Sequence, residues 1–301
     1  MSMTLLSLFT VQVFLPLLFV SWLWGSSQPS RANWIAQALA AGGVVAFTLT
    51  VGALYWTSVY IGALQFVLFL GALAHSFRRL PKNWGPFQFG GSWKEKVFTG
   101  TQVLVGLLFV PLCVYALSGC AATEEPLPLR FPLEDGVYHV SHGGSNALIN
   151  YHNVDQRQRY ALDITKLNAF GTRATGVYPG QLSRYAIYGD TLYSPCRGTV
   201  REAVSGLPEY PPPKRGHGHP AGNRVVIECR GTHVHLAHMM PVSVAVDSGS
   251  VVAAGIPIGR VGNSGNTSEP HLHIHATREG IGVPVTFGGR FLVRNNLVWM
   301  R

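Results

Sequence analysis

Residues 271–275 read His-Leu-His-Ile-His, an alternation of imidazole and aliphatic side chains. In a strand, residues two apart stand on one face. His271 and His273 are therefore expected side by side, with Leu272 and Ile274 packed into a core behind them. Two imidazoles near one point suit zinc, which takes His and carboxylate ligands and keeps a position open for water in catalytic sites. The spacing alone fits exposed strand histidines as well. Other residues add to it: Asp163 lies in the strand-like run 160–164, His152 ends the run 150–152, and His238 follows Leu236 and Ala237. Gly249, Gly255, Gly259 and Gly262 punctuate a hairpin series leading to His271. No His-Glu-x-x-His pair occurs, which excludes a helical metalloprotease site of that kind.

Short strands have to hold these residues. From position 136 onward, apolar runs at 199–204, 224–229, 232–236, 251–254, 258–261 and 271–276 are bounded by Gly, Pro, Asn and Asp. No long segment with a helical period follows position 120, and the pattern predicts an all-β or β-rich domain. Residues 205–222 read as a surface loop, because Pro211-Pro212-Pro213 cannot sit in a central strand. Cys196 and Cys229 each sit beside a predicted strand; they are either bridged or two buried thiols.

The first 119 residues differ in kind. Residues 1–77 carry one charged side chain, Arg31. A spanning helix needs about 20 mostly apolar residues. Runs at 3–23 and 97–118, with two more inside 34–77, predict a four-helix transmembrane region. Tyr55, Trp56, Thr57 and Ser58 supply an interfacial turn between the middle two. The first run has no basic leader and three spans follow it, so it reads as a span rather than a cleaved signal peptide. Arg78, Arg79, Lys82, Lys94 and Lys96 crowd the 78–96 loop, which the positive-inside rule places in the cytoplasm. Residue 120 onward then faces the periplasm or the exterior, and the chain is a multi-pass protein of the cell membrane.

No charged or repeated polar pattern marks the first three spans as a transport pathway. They read as an anchor, with a surface for a membrane-protein partner of unknown identity. A single soluble globule and a purely membrane-embedded protein are both excluded. The net charge of +9 invites a nucleic-acid reading, but the basic residues after position 120 are scattered without a Lys/Arg run, which excludes nucleic acid as a partner. Leu117-Ser118-Gly119-Cys120 resembles the lipobox of bacterial lipoproteins, here after the fourth hydrophobic run instead of the first. Residues 120–135, rich in Pro and Glu, read as a linker between a membrane anchor at 1–119 and a soluble domain at 136–301.

Several pieces of the soluble part match one family in order and spacing. Residues 192–200, Leu-Tyr-Ser-Pro-Cys-Arg-Gly-Thr-Val, resemble its strand–Pro–Gly turn, and 222–227 resemble its central strand. Leu236-Ala237-His238-Met239 stands where the family has Tyr-Ala-His-Leu. Residues 259–265 lead into Pro270-His271-Leu272-His273 as they do there. On these motifs, residues 136–294 resemble the lysostaphin/LytM-type zinc metallopeptidases, peptidoglycan endopeptidases with a duplicated hybrid motif fold. The resemblance includes none of the spans.

The resemblance implies that Asp163 and His273 are zinc ligands and that His238 and His271 are catalytic histidines beside the metal. The family's other ligand is a His four residues before the Asp, with Gly between; here Arg159 and Ala161 occupy those positions. His152 is assigned as the third ligand, with 155–158 read as an insertion that moves it to the preceding strand or turn; His142 and His139 are the alternatives. His275 stands where the family usually has Glu, and is expected to support the site. His233 and His235 are exposed strand positions or line the groove, and His217 and His219 fall on a mobile rim. The implied chemistry is hydrolysis of peptide bonds in cell-wall peptidoglycan. Zinc polarises the scissile carbonyl and activates water, one of His238 and His271 takes the proton, and the other stabilises the oxyanion. The alternative is a non-catalytic LytM-like module that binds wall or regulates a partner.

Overall fold

The computed structural model describes residues 3–80 and 91–301. The chain divides into two compact units, Met1–Leu117 and Ser118–Arg301.

The first unit is helical. Helix α1 (Met3–Phe9), a π-helical stretch (Thr10–Phe14) and α2 (Leu15–Gly25) follow without a break. Then come α3 (Arg31–Val51), α4 (Leu54–Thr57), α5 (Val59–Arg78) and α6 (Trp93–Ser118). Four stretches are long and apolar enough to cross a membrane: Leu6–Gly25, Arg31–Val51, Val59–Arg78 and Trp93–Ser118. The single turn α4 occupies the expected interfacial break. Lys82 of the basic loop lies outside the described residues.

The π-helical stretch has a local cause. Pro16 has no N–H, so the carbonyl of Gln12 loses its usual donor four residues on. The Leu15 N–H reaches back to the Thr10 carbonyl, and Gln65 of α5 donates its side-chain amide to the Gln12 carbonyl at 2.8 Å. In a membrane every backbone group needs such a partner. Helix α3 approaches α6 closely at Gly43, where a Cβ would lie 3.1 Å from Phe109 Cβ. Asn33 donates to Thr99 at 2.7 Å across the same two helices. The apolar helices thus bury Gln12, Asn33, Gln37, Gln65 and Gln102, a polar content that the apolar runs concealed.

The second unit is β-rich. Its strands are β1 (Leu127–Leu129), β2 (Gly136–His142), β3 (Leu162–Leu167), β4 (Thr191–Tyr193), β5 (Gly198–Val204), β6 (Asn223–Cys229) and β7 (Thr232–Met239). They continue with β8 (Val251–Val252), β9 (Pro257–Arg260), β10 (Leu272–Arg278), β11 (Ile281–Val283), β12 (Val285–Phe287), β13 (Arg290–Phe291) and β14 (Leu297–Met300). The main sheet runs β14-β2-β3-β10-β7-β6-β5-β8, with β11 on β10; β1-β12-β13 and β4-β9 form two small sheets. One face of the main sheet buries Leu162, Ile164, Ile227, Val234, Leu236, Leu272 and Ile274 in a single core. Leu272 and Ile274 point there as alternation requires. A disulfide joins Cys196, ahead of β5, to Cys229 at the end of β6.

The segment 120–135 is not a linker. Its β1 pairs in parallel with β12, and Leu127, Leu129, Phe131 and Leu133 all belong to the core. Pro128 sits exposed between two buried leucines on a short edge strand, one of the few places a sheet tolerates proline.

Candidate metal centre

Strand register builds the site. His142 of β2 lies opposite Asp163 of β3, Asp163 opposite His273 of β10, and His273 opposite Ala237 of β7. This row crosses the sheet face away from the core. In the next row His275 stands opposite His235.

His152 reaches the row from a 3-10 helix, Tyr151–Val154, which is the turn and not the strand of the two settings expected for it. Bends and turns over 155–160, which include the stretch 155–158 read as an insertion, carry the chain on to β3. Asn150 pins this segment. Its amide donates to the carbonyls of Gly144 and Ala161 at 3.0 and 3.1 Å, and its Oδ1 accepts from the His152 N–H. Nothing in the sequence reading singled out that role; a buried Asn before a turn is the signal that was there.

The result is a convergence on one carboxylate. His152 Nε2 lies 2.9 Å from Asp163 Oδ2, and His273 Nδ1 lies 2.8 Å from Asp163 Oδ1. The donor atoms of His152, Asp163 and His273 are all within 4.8 Å of one another, and so are those of His238, His271 and His273. His271 Nε2 stands 3.5 Å from Asp163 Oδ1.

His238 gets there by breaking parity. It shares alternation with Val234 and Leu236, whose side chains enter the core. Its φ of 62° and the irregular register between β6 and β7 at Asn223/Val225 turn it to the opposite face. Such left-handed geometry is uncommon outside Gly, though His adopts it more readily than most. Ser264 O accepts from His238 Nδ1 at 2.8 Å, and Glu269 O accepts from His271 Nδ1 at 2.8 Å. In both rings Nε2 is the nitrogen left for the site. Gly222 allows this packing, since its φ is 59° and a Cβ would run into the Ser264 backbone.

The electrostatics follow from burial and from Asp163. Burial raises the Asp163 carboxyl, but the facing rings of His152 and His271 outweigh it and hold the group well below the usual carboxylate range. Burial lowers His238 strongly and His273 to a smaller extent. For His271 the burial effect is overcome by Asp163 and Glu269, and its pKa is raised.

Two residues far apart in sequence brace this corner. Arg173, buried to 1% exposure, places Nε 2.8 Å from both carboxylate oxygens of Glu269. Tyr178 donates to Ser268 O and Thr267 to Glu269 O, fixing the chain that carries His271. Burial raises the Glu269 carboxyl against the pull of Arg173. Neither residue was foreseen.

The other histidines fall elsewhere. His142 is near, its ring edge-on to Tyr151, but its Nδ1 lies 3.1 Å from Arg294 Nη1 and burial pushes it down to about 3. His139 is fully buried, with Nε2 bonded to Asn295. His233 is exposed beside Glu228. Arg159, at the family's ligand position, pairs with Glu124. The loop 205–222 with His217 and His219 is hydrogen-bonded to the 263–266 segment: Asn266 donates to Pro220 O, Gly216 to Gly265 O and Asn263 to Tyr210 O, at 2.7–2.8 Å. It walls one side of an open cleft of about 290 Å³ whose lining includes His152, His238, His273, His275, His235 and Arg224.

Two imidazoles and a carboxylate, preset within hydrogen-bonding distance, fit a divalent metal of zinc's size and ligand preference. The remaining rings, His238 and His271, stand beside that point with fixed tautomers. The arrangement is able to bind a metal and move a proton next to it.

Residues 183–285 match Peptidase family M23. The match includes His238, His271, His273 and His275 and begins after His152 and Asp163. Similar solved structures include an M23 peptidase of Pseudomonas aeruginosa, described as putative, with 18% identity over 54% of this chain and 50% of that one, at a TM-score of 0.32. A zinc-containing peptidase of Vibrio cholerae has 19% identity over 41% and 48%, at 0.26. The catalytic domain of lysostaphin from Staphylococcus simulans has 23% identity over 35% and 76%, at 0.22. The chain thus spans about half the length of the first two structures. No curated protein matches it. Residues 183–285 of this chain are a Peptidase family M23 domain.

Proposed function

We propose that the chain is a membrane-anchored zinc metalloendopeptidase that hydrolyses peptide bonds in cell-wall peptidoglycan. The observation that carries this reading is the meeting of His152 and His273 on the two oxygens of Asp163, with His238 and His271 alongside. His152, Asp163 and His273 are the ligands. Zinc held there supplies Lewis-acid activation of a water molecule and of the scissile carbonyl. His238 and His271 share the proton work through Nε2, because the Ser264 and Glu269 carbonyls hold each Nδ1–H. One ring accepts the proton of the attacking water, and the other donates to the charge that develops on the carbonyl oxygen. The tied loop 205–222 and Tyr151 confine the peptide. Four apolar helices and the basic residues within 78–96 support a multi-pass anchor with the catalytic unit on the periplasmic or extracellular side, and the disulfide suits that compartment.

The test uses the full chain in detergent: zinc content by elemental analysis, and release of new amino groups from purified peptidoglycan. His152→Ala is expected to lose zinc and cleavage together, while His139→Ala and His142→Ala keep both. A folded wild-type chain without zinc at neutral pH overturns the enzymatic reading and leaves the wall-binding or regulatory module. Loss of zinc in His142→Ala but not in His152→Ala moves the ligand to His142.

A further inference from the structure

His273 has both ring nitrogens engaged. Nδ1 faces Asp163, and Nε2 lies 3.0 Å from Nδ1 of His275, two residues along the same strand. A histidine that ligates a metal through one nitrogen carries its proton on the other, and that N–H needs an acceptor to fix tautomer and ring angle. The usual acceptors are a carboxylate, a backbone carbonyl or water. Here the atom in place is an imidazole nitrogen. His275 is itself held: its ring stacks on His235 with centroids 4.3 Å apart and planes 3° from parallel. His235 is fixed in turn by Nε2, 3.0 Å from Thr277 Oγ1. The row Thr277–His235–His275 thus ends on His273, and each member stands on the cleft side of β7 or β10.

We propose that His275 is a positioning residue for the metal centre: its Nδ1 accepts the His273 Nε2–H and thereby aims His273 Nδ1 at the metal. This rests on the ligand set proposed above. Accepting at Nδ1 requires the neutral ring of His275 to carry its own proton on Nε2, and the stack on His235 holds the ring in the plane that keeps this bond short. No covalent step is involved; the contribution is orientation and ligand basicity.

The test is zinc affinity of the full chain, measured by competition with a chromophoric chelator, with the Co²⁺-substituted absorption spectrum as a second readout of ligand geometry. His275→Phe keeps a ring against His235 and removes only the acceptor. It is expected to weaken zinc binding on the order of 10–100-fold, the usual effect of losing such a partner, and to alter the Co²⁺ spectrum. His275→Asn returns an acceptor oxygen near the position of Nδ1 and is expected to bind within a few-fold of wild type. Should His275→Phe not fold, His275→Leu serves in its place. Unchanged affinity on removing the acceptor overturns the proposal, as does equal weakening in His275→Asn, which would show that the site needs the ring's shape and not its nitrogen. A wild-type chain that binds no zinc overturns the ligand set itself, an outcome separate from either of these.

Discussion

Replacing Arg173 by Met should expose how much the His271 corner depends on one buried pair. The guanidinium is 1% exposed and touches both oxygens of a carboxylate that is itself almost wholly buried. Arg173 Nη2 also donates to Val177 O at 3.1 Å. Removing the cation leaves the Glu269 carboxylate without its charge partner, which typically costs about 3–5 kcal/mol. For a unit of this size that is a melting shift of roughly 10 °C. The partner experiment changes both residues. Arg173→Met combined with Glu269→Leu removes the stranded charge, and replacing a buried pair with apolar groups of similar volume is often close to neutral. The double variant should therefore recover most of the loss. Calorimetry of the full chain in detergent, with hydrogen exchange over 167–185 and 263–271, reads both outcomes. If the single variant loses under about 1 kcal/mol, or the double variant is no more stable than the single, a desolvated charge pair is the wrong account of this corner.

Three further outcomes follow from the fold and the proposed site. His139 is fully buried and burial lowers its pKa to about 3. The unfolded chain therefore binds that proton first; the contribution is whole above pH ~6.5 and drains as pH falls towards 3, reaching about 3 kcal/mol lost at pH 4. His139→Leu should flatten the urea midpoint against pH by about one proton over that window, and an unchanged slope would contradict the assignment. Chelation of zinc should lower the melting temperature of wild type, because a ligand of the native state alone stabilises it, and should leave His152→Ala unmoved. Gln65→Leu leaves the Gln12 carbonyl unpaired beside Pro16 and should weaken helix packing by about 1 kcal/mol, the scale of interhelical hydrogen bonds in membranes; denaturation in mixed micelles measures it.

The parts that local pattern governs were legible in the sequence. Four long apolar runs became four helices, and the spacing of His271 and His273 set both on the face opposite Leu272 and Ile274. Asp163 was visible as a carboxylate in a strand. His238 was visible as a histidine closing a strand-like run and took its catalytic role from the resemblance, although alternation assigns it to the core and a single positive φ reverses that. The segment 120–135 misled because a Leu-Pro-Leu edge strand has the composition of a linker, while its pairing with β12 is set more than 150 residues away. Arg173 and Gln65 were illegible for one reason. Each is a polar side chain whose partner is remote or is a backbone carbonyl, and neither spacing nor composition records such pairs.

The crosslink between Cys196 and Cys229 ties the survival of the β-rich unit to the redox state around it. It closes a loop with a sequence separation of 33. In the chain-entropy account such a closure stabilises the folded unit by roughly 4 kcal/mol. That bond persists only where thiols are oxidised. In a reducing compartment the same unit stands unlinked, with an unfolded population larger on the order of several hundredfold. Unlinked copies are then the ones that open and are degraded, while linked copies persist, so that the oxidation of two thiols decides which copies last.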